Sequence, residues 1–325
     1  MPTMPTVKLK PEVQAIIKEG LSPFDLIIIG GGPAGLSAGI YAKRAKIDTL
    51  LIEKAMLGGL VTTTDKIDNY PGFPEGISGM ELGQKFEAQA RKYGLDIVFG
   101  RVNRLEVKNL IVIVHTEEQK YSSKAVIIAT GSEPKKLGIP GEDTFIGKGV
   151  SYCATCDGPF YKDKNVAVIG GSSGALEEAI FLTKFAKLVT VIYRGNDLNA
   201  DKVLQENASS SPKIFFKLHS VIEEIKGDDK VRYLKLNDTL SNKKSSINVD
   251  GVFIYSGLKP STDFLKGIIN LDDSGRVVVD DNLATNIPGI FAAGDVRKKR
   301  LRQVVTAVAD GAIAVSSVKE YLEKD

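Results

Sequence analysis

The residues best suited to chemistry are the cysteines of Cys153-Ala154-Thr155-Cys156, the only two cysteines among 325 residues. A Cys-x-x-Cys pair can close a small disulfide ring and open it again, so it predicts thiol redox exchange. The alternatives are half of a zinc site and two buried thiols without a chemical role. Zinc needs four ligands, and the only histidines, His115 and His219, are distant in sequence. The pattern therefore favours redox chemistry and predicts no metal site.

The strongest pattern around this pair is an internal repeat. Residues 25–53 (DLIIIGGGPAGLSAGIYAKRAKIDTLLIE) align without a gap with residues 165–193 (NVAVIGGSSGALEEAIFLTKFAKLVTVIY), so that Gly170 lies 140 positions after Gly30. In each copy a β-branched run ends in a glycine cluster, a helical pattern follows, and a second apolar run closes the unit. The repeat predicts a β-α-β nucleotide-binding unit made twice.

The first copy contains Gly30-x-Gly32-x-x-Gly35. These glycines permit a tight turn, close approach of backbone to a pyrophosphate, and close packing of helix on strand. The helix that follows would direct its N-terminal amides at the phosphates, and Glu53 stands where it can accept hydrogen bonds from a ribose diol. A purely structural glycine turn is the alternative. The predicted contacts to the dinucleotide are Gly30, Gly32, Pro33, Ala34, Gly35 and Glu53.

The second copy departs from this pattern. It has Gly170-x-Ser172-x-x-Ala175, so a side chain stands where backbone would approach a phosphate most closely. Tyr193 takes the position of Glu53 and is followed by Arg194, which can contact a 2′-phosphate. The copy therefore predicts a site for NADPH in preference to NADH, or else a degenerate unit that binds no nucleotide. Its predicted contacts are Gly170, Gly171, Ser172, Ser173 and Arg194.

Length and composition are those of about two ordinary globular domains, with 43% apolar and 26% charged residues. A formal charge of +3 is too small to imply nucleic-acid binding, and no apolar run is long enough to span a membrane. Residues 1–23 include an amphipathic piece (Val13, Ile16, Ile17) but lack the features of a signal peptide. We expect a cytoplasmic protein, and a reducing compartment suits a catalytic cysteine pair.

The remaining patterns complete an α/β fold. Residues 126–131 and 289–296 are predicted strands that run into glycine turns, residues 303–321 a helix, and residues 102–121 and 231–253 antiparallel ribbons. We predict two Rossmann-like, three-layer β/β/α nucleotide-binding domains, the second inserted into the first. Residues 1–133 and 260–325 form the first domain, and residues 134–259 form the second and carry the cysteines. Prolines and glycines at both crossings suit a hinge.

In this order the motifs resemble the low-molecular-weight thioredoxin reductases, FAD-containing members of the pyridine nucleotide-disulfide oxidoreductases, over nearly the whole chain. Several motifs together carry the resemblance, and none of them would decide it alone. They are Gly30–Gly35, Gly58-Gly59, Thr62-Thr63-Thr64, Asn69-Tyr70-Pro71-Gly72, Ala129-Thr130-Gly131, Cys153-Ala154-Thr155-Cys156-Asp157-Gly158, Gly294-Asp295 and Arg302-Gln303.

The resemblance implies that electrons pass from NADPH through FAD and the cysteine pair to the disulfide of a thioredoxin-like protein, and it implies a homodimer. By the family pattern Cys156 faces the flavin, Cys153 attacks the partner disulfide, and Asp157 protonates the leaving thiolate. FAD would occupy the first domain and the nicotinamide nucleotide the second. Besides the first glycine turn and Glu53, the implied FAD contacts are Gly59, Thr64, Asn69, Ala129, Thr130, Gly131, Gly294, Asp295, Arg302 and Gln303.

One departure from the family bears on the electron donor. A His-Arg-Arg-x-x-x-Arg clamp for the 2′-phosphate is replaced by Tyr193-Arg194-Gly195-x-x-x-Asn199, without two of the three arginines. Each lost charge-assisted contact is worth roughly 1.5–3 kcal/mol. An NAD(P)H oxidase, a disulfide reductase with another donor, and a flavin-storing or redox-sensing protein therefore remain alternatives. The basic run Arg297–Arg302 is either a solvated loop or a surface that steers an acidic partner.

Overall fold

The computed structural model describes residues 23–108 and 110–324, so the amphipathic piece around Ile16 lies outside the described residues. The strands are β1 Phe24–Ile29, β2 Thr49–Glu53, β3 Asp96–Phe99, β4 Val102–Lys108, β5 Ile111–Thr116, β6 Lys120–Ile128, β7 Ser132–Pro134, β8 Val150–Ser151, β9 Asn165–Ile169, β10 Leu188–Ile192, β11 Ile214–Lys217, β12 Ser220–Gly227, β13 Val231–Asp238, β14 Lys244–Asn248, β15 Gly251–Ile254, β16 Leu258–Pro260 and β17 Ile290–Ala292. The α-helices are α1 Pro33–Arg44, α2 Gly79–Lys92, α3 Ala154–Asp157, α4 Ser173–Leu182, α5 Lys202–Ser210 and α6 Val304–Leu322. Short 3₁₀ helices span Gly59–Thr63, Asp143–Phe145, Gly158–Tyr161, Asp263–Leu265 and Gly294–Val296.

The chain forms two compact units, and the second is inserted into the first. Of the described residues, the first unit holds those up to Thr62, Lys66–Ser132, and those from Pro260 onward. The second unit holds Thr63–Asp65 and Glu133–Lys259. The strands at the two crossings, β7 and β16, pair as a two-stranded ribbon. Among the described residues, no helix is both long and apolar enough to cross a membrane.

The first unit has three layers around one sheet. Parallel strands follow the order β3-β2-β1-β6; the outer edge of β6 pairs with antiparallel β5 along its first half and with parallel β17 along its second half. Alternate residues of β1 face opposite layers: Leu26 and Ile28 pack with α1 and α6, whereas Ile27 and Ile29 pack with the β4–β5 ribbon. Because both faces are covered, β1 is apolar along almost its whole length.

The second unit repeats this architecture with a parallel sheet, β11-β10-β9-β15-β8, and an antiparallel ribbon, β12-β13-β14. Our predicted ribbon over residues 231–253 is wrong at both ends. The ribbon begins at β12, and β15 instead joins the parallel sheet beside β9. All four residues of β15 are buried, so this strand lacks the polar-apolar alternation that distinguishes a half-exposed ribbon.

The internal repeat of the sequence is also a repeat of structure. In the first unit β1 pairs with β2 from Leu26 opposite Thr49, and in the second unit β9 pairs with β10 in the same register, with Val166 opposite Val189. Both residues of the second pair lie 140 positions after those of the first. The prediction of two Rossmann-like units, the second inserted into the first, is confirmed.

Candidate functional site

The first glycine turn, residues 30–35, joins β1 to α1. Gly30 adopts a φ of 107°, and its N–H donates to the carbonyl oxygen of Ile52 over 2.8 Å. A Cβ at Gly35 would overlap the carbonyl oxygen of Gly30, so helix and strand approach closely only without a side chain there. Gly32 is the N-cap of α1 and provides no capping side chain. The first amides of α1 are therefore open to an anionic ligand.

Glu53 is fixed at the end of β2. Only 8% of its surface is exposed, and its carboxylate accepts hydrogen bonds from the amides of Gly31 (2.6 Å) and Ala55 (2.9 Å). Each carboxylate oxygen can accept a further hydrogen bond. The side chain is thus held in one orientation and keeps the capacity to bind a diol.

Several predicted positions surround the start of α1. A Cβ at Gly59 would lie 3.0 Å from the Cα of Gly32, and one at Gly294 would lie 2.8 Å from the Cβ of Ala34. The tripeptide Ala129-Thr130-Gly131 directly follows β6, and its first carbonyl oxygen lies against Gly30. The fold therefore brings together motifs that are far apart in the sequence.

Asp295 and Arg302 carry buried polar atoms that lack hydrogen-bond partners: Oδ1 of Asp295 and Nε of Arg302. The nearest cation to that oxygen, Nζ of Lys299, is 3.7 Å away, which is too far for a hydrogen bond. Burial raises the pKa of Asp295, although the neighbouring cations oppose this shift. An unsatisfied buried polar atom costs about 1–3 kcal/mol. A ligand with hydroxyl and anionic groups would satisfy both atoms, so these residues fit FAD.

The other predicted flavin contacts are placed as follows. Nδ2 of Asn69 donates to Oε1 of Gln303 over 3.1 Å, so the fold joins residues 234 positions apart. Gln303 is also the N-cap of α6. Oγ1 of Thr130 donates to the carbonyl oxygen of Ser261 over 2.9 Å. Thr64 is half-buried, directly after the 3₁₀ helix that contains Gly59, and belongs to the second unit.

The basic run contains a buried ion cluster that sequence reasoning missed. Asp310 on α6 accepts hydrogen bonds from Arg297 (2.6 and 2.8 Å), Lys299 (2.9 Å) and the amide of Gly294 (2.9 Å). Burial alone would raise the pKa of Asp310, but the two cations bring it below its ordinary value. Both interpretations of the run, as a solvated loop or as a steering surface, are therefore wrong for Arg297 and Lys299. An aspartate within an otherwise small and apolar helix was the available signal.

The redox turn, residues 153–157, belongs to the second unit. Cys153 and Cys156 form a disulfide with an S–S distance of 2.10 Å, which confirms the predicted redox-capable pair. Cys153 is the N-cap of α3, and its Sγ accepts a hydrogen bond from the amide of Cys156 over 3.2 Å. Cys153 is half-buried, and Cys156 is exposed. Among residues 23–108 and 110–324 no cluster of metal ligands occurs.

Asp157 ends α3 and is half-buried. Together with burial, which is the larger cause, its negative charge raises the pKa of Tyr161 and of Tyr255. The Asp157 carboxylate therefore lies close enough to both phenols to affect them. Such a carboxyl group next to the cysteines is the nearest acid in sequence that could supply a proton to a departing thiolate.

The second glycine turn, residues 170–175, joins β9 to α4. Ser172 is the N-cap of α4, and its Oγ accepts from the amide of Ala175 over 3.4 Å. Oγ of Ser173 accepts from the amide of Asp201 over 3.0 Å. In contrast to the first turn, a side chain here accepts a hydrogen bond from one of the first amides of the helix.

Tyr193 fills the place that Glu53 occupies in the first unit. A Cβ at Gly171 would lie 2.8 Å from its ring, and one at Gly195 would lie 2.7 Å from it. Gly171 and Gly195 lie 140 positions after Gly31 and Ala55, the two residues whose amides donate to Glu53. Arg194, the next residue in the sequence, is exposed. The second unit therefore places an aromatic ring, followed in the sequence by an arginine, where the first unit has an acid.

Comparison with known proteins finds relatives that match most of the chain. The family model described as pyridine nucleotide-disulphide oxidoreductase matches residues 24–311. A thioredoxin reductase of Peptoclostridium acidaminophilum is 43% identical over 306 residues, which cover 92% of this chain and 97% of that protein. A thioredoxin reductase of Listeria monocytogenes is 44% identical over 305 residues, which cover 93% of this chain and 94% of that protein.

Solved structures agree with the sequence relatives. The crystal structure of Lactococcus lactis thioredoxin reductase is 40% identical, covers 93% of this chain and 100% of that chain, and superposes with a TM-score of 0.91. The crystal structure of T. acidophilum thioredoxin reductase is 36% identical, covers 93% of this chain and 99% of that chain, and has a TM-score of 0.87. The chain therefore belongs to the pyridine nucleotide-disulphide oxidoreductase family, among its thioredoxin reductases.

Proposed function

We propose that this protein reduces the disulfide of a thioredoxin-like protein with electrons from NADPH, using FAD and its own cysteine pair. The observation that carries the proposal is the Cys153–Cys156 disulfide, in a chain 43% identical to a thioredoxin reductase. The Cys156 amide, which already donates to Sγ of Cys153, would stabilise a thiolate on that sulfur after reduction.

The first unit would hold FAD. Its open helix N-terminus suits the pyrophosphate, Glu53 suits the adenosine ribose, and Asp295 with its unpaired oxygen suits a polyol hydroxyl. When bound, FAD accepts two electrons from reduced nicotinamide and passes them to a disulfide. The remaining residues proposed to bind it are Gly59, Thr64, Asn69, Ala129, Thr130, Gly131, Arg302 and Gln303.

The chemistry of the redox turn follows from its own residues. Reduction of the disulfide takes two electrons and two protons and breaks the S–S bond. The Cys153 thiolate then attacks one sulfur of the partner disulfide, and Asp157 protonates the thiolate that leaves. Cys156 attacks the resulting mixed disulfide, which releases the partner as a dithiol and restores the Cys153–Cys156 bond. The two electrons lost by the protein dithiol are those gained by the partner.

The second unit would bind the electron donor. Arg194 can pair with a 2′-phosphate. Tyr193 stands where the first unit has Glu53, so no carboxylate at this position would repel the phosphate. Because two of the family's clamp arginines are absent, we propose that NADPH binds more weakly here than where the full clamp is present. The residues proposed to contact it are Gly170, Gly171, Ser172, Ser173 and Arg194. A cytoplasmic homodimer completes the proposal.

An anaerobic titration tests the donor and the acceptor separately. The FAD-loaded protein is mixed with NADPH or NADH and bleaching of the flavin is followed, and thioredoxin disulfide is then added and its thiols are counted. We expect bleaching at lower concentrations of NADPH than of NADH, and thiol release only with thioredoxin present. Bleaching by neither nucleotide would overturn the donor assignment, whereas bleaching without thiol release would overturn the acceptor.

A further inference from the structure

Tyr255 hydrogen-bonds the backbone of the redox turn from outside it. It directly follows β15, and its hydroxyl accepts a hydrogen bond from the amide of Ala154, between the two cysteines, over 3.0 Å. The corresponding residue of the first unit is Ala129. The Tyr255 amide donates to the carbonyl oxygen of Ile169, and the Ala129 amide donates to that of Ile29, each over 2.8 Å; both acceptors end the central strand of their unit. The second unit has thus placed a phenol where the first unit has a methyl group.

The carboxyl group of Glu178 on α4 lies close enough to the Tyr255 hydroxyl for each group to change the pKa of the other. Glu178 is only 7% exposed, and its Oε2 is buried without a hydrogen-bond partner. Burial, followed by the charge of Glu178, raises the pKa of Tyr255, so the phenol keeps its proton near neutral pH. Since the Tyr255 oxygen accepts from Ala154, its single hydrogen is available to Glu178. The phenol therefore lies between a buried carboxyl group of α4, to which it can donate, and the Ala154 amide of the redox turn, from which it accepts.

Resting on the proposed function, we propose that Tyr255 and Glu178 are positioning residues for the disulfide exchange of the redox turn. The phenol fixes the amide of Ala154, and the carboxyl group of Glu178 fixes the phenol. All three lie in the second unit.

The consequence concerns how closely the two sulfur atoms are held after reduction. Exchange between dithiol and disulfide depends on the effective concentration of one thiol at the other, which rises as the turn between them becomes more rigid. Ala154 is the first residue of α3, so a fixed amide there restricts the whole Cys-x-x-Cys segment. Loss of the phenol hydroxyl loosens the segment and moves the equilibrium toward the dithiol.

The test is the dithiol-disulfide equilibrium constant of the FAD-loaded, full-length protein in mixtures of oxidised and reduced dithiothreitol. The chain has only two cysteines, so alkylation and mass spectrometry report this couple directly. Tyr255→Phe removes one oxygen and keeps the ring. We expect about a fivefold shift toward the dithiol, the effect of one hydrogen bond of ordinary strength, or roughly 20 mV.

Variants of Glu178 separate positioning from general destabilisation. Glu178→Gln keeps an acceptor for the phenol, so we expect its equilibrium constant to stay within about twofold of the wild-type value. Glu178→Leu removes the acceptor, and we expect a shift toward the dithiol. Glu178→Leu should add little to the shift caused by Tyr255→Phe, because both changes remove the same connection from Glu178 through the phenol to the Ala154 amide. If Glu178→Leu does not fold, Tyr255→Phe and Glu178→Gln still decide the matter.

Tyr152→Phe is the matched control. It also breaks a tyrosine-glutamate hydrogen bond of the second unit, from Tyr152 to Glu142 over 2.7 Å, but that bond does not reach an amide between the cysteines. We expect the control to shift the constant by less than about twofold. An equal shift in Tyr152→Phe, or no shift toward the dithiol in Tyr255→Phe, overturns the proposal. The measurement uses neither donor nor thioredoxin, so a failure of this proposal can be distinguished from a failure of the proposed function.

Discussion

The ring of Tyr193 lies over Gly195, two residues further along the chain, where a Cβ would come within 2.7 Å of it. Tyrosine at position 193 therefore requires a residue without a side chain at position 195. Restoring an arginine at position 195 alone would force the ring to move. This explains physically why the clamp differs from the family pattern at both positions together.

We predict that Tyr193→His with Gly195→Arg and Asn199→Arg strengthens NADPH binding. Two restored charge-assisted contacts of roughly 1.5–3 kcal/mol each should lower its KM by at least about tenfold. Gly195→Arg alone should gain less, because its Cβ meets the ring. Steady-state kinetics with NADPH and NADH measure both effects. The KM for NADH serves as the internal control, and an equal fall for both nucleotides would contradict a contact specific to the 2′-phosphate.

The two cysteines should be separable by mutation. Cys153→Ser should leave bleaching of the flavin by NADPH intact and abolish thioredoxin reduction, because the attacking sulfur is lost. Cys156→Ser should instead accumulate a mixed disulfide between Cys153 and thioredoxin, which non-reducing electrophoresis and mass spectrometry detect. If Cys153→Ser still reduces thioredoxin, or traps a mixed disulfide through its remaining Cys156, the assignment of roles is wrong.

Features that depend on local pattern could be predicted from the sequence. The glycines of residues 30–35 and the matching segment 140 positions later act through backbone conformation and short-range packing, so their spacing alone indicates the turn and the strand register. The same holds for Glu53, which ends a strand of fully buried residues. The β15 strand was misassigned because continuous burial leaves no alternation to detect.

Pairings between distant residues could not be predicted in this way. Asp310 with Arg297 depends on the packing of α6 beside a turn, and nothing in the spacing of a basic run indicates that its cations face inward. The link from Glu178 to Tyr255 joins α4 to the end of β15, 77 positions later. Each is a tertiary contact, and even where one member is conspicuous, as Asp310 is in its apolar helix, neither segment alone identifies the partner.

We predict that Asp310→Asn destabilises the first unit. It leaves Arg297 and Lys299 without their buried counter-charge, and we expect this to cost about 3 kcal/mol. It also weakens the acceptor for the Gly294 amide, next to Asp295. Thermal unfolding and the amount of FAD retained on purification measure both effects. Lys298→Glu is the control, because Lys298 is exposed; an equal loss there would contradict a specific role for the buried cluster.

The pH dependence of stability should contain a contribution from Glu178. Burial, reinforced by the charge of Glu177, raises the pKa of Glu178 to about 8. The pKa of a glutamate in the unfolded chain is about 4.3, so between these two pKa values the folded state holds a proton that the unfolded state has released. Stability therefore falls as pH rises through this window, by at most about 1.4 kcal/mol per pH unit, and levels off above the folded pKa.

Urea unfolding followed by circular dichroism at about pH 5.5 and about pH 7.5 measures this slope. We expect a shallower fall of the free energy of unfolding in Glu178→Gln, which cannot ionise. Glu177→Gln, whose side chain is exposed on the same helix, should keep the fall but end it at a lower pH, because it removes the charge that reinforces the raised pKa of Glu178. Equal slopes in Glu178→Gln and the wild type would show that the buried carboxyl group does not bind a proton across this range. Because Gln keeps the acceptor for Tyr255, the comparison isolates the ionisation of Glu178 from its hydrogen bond.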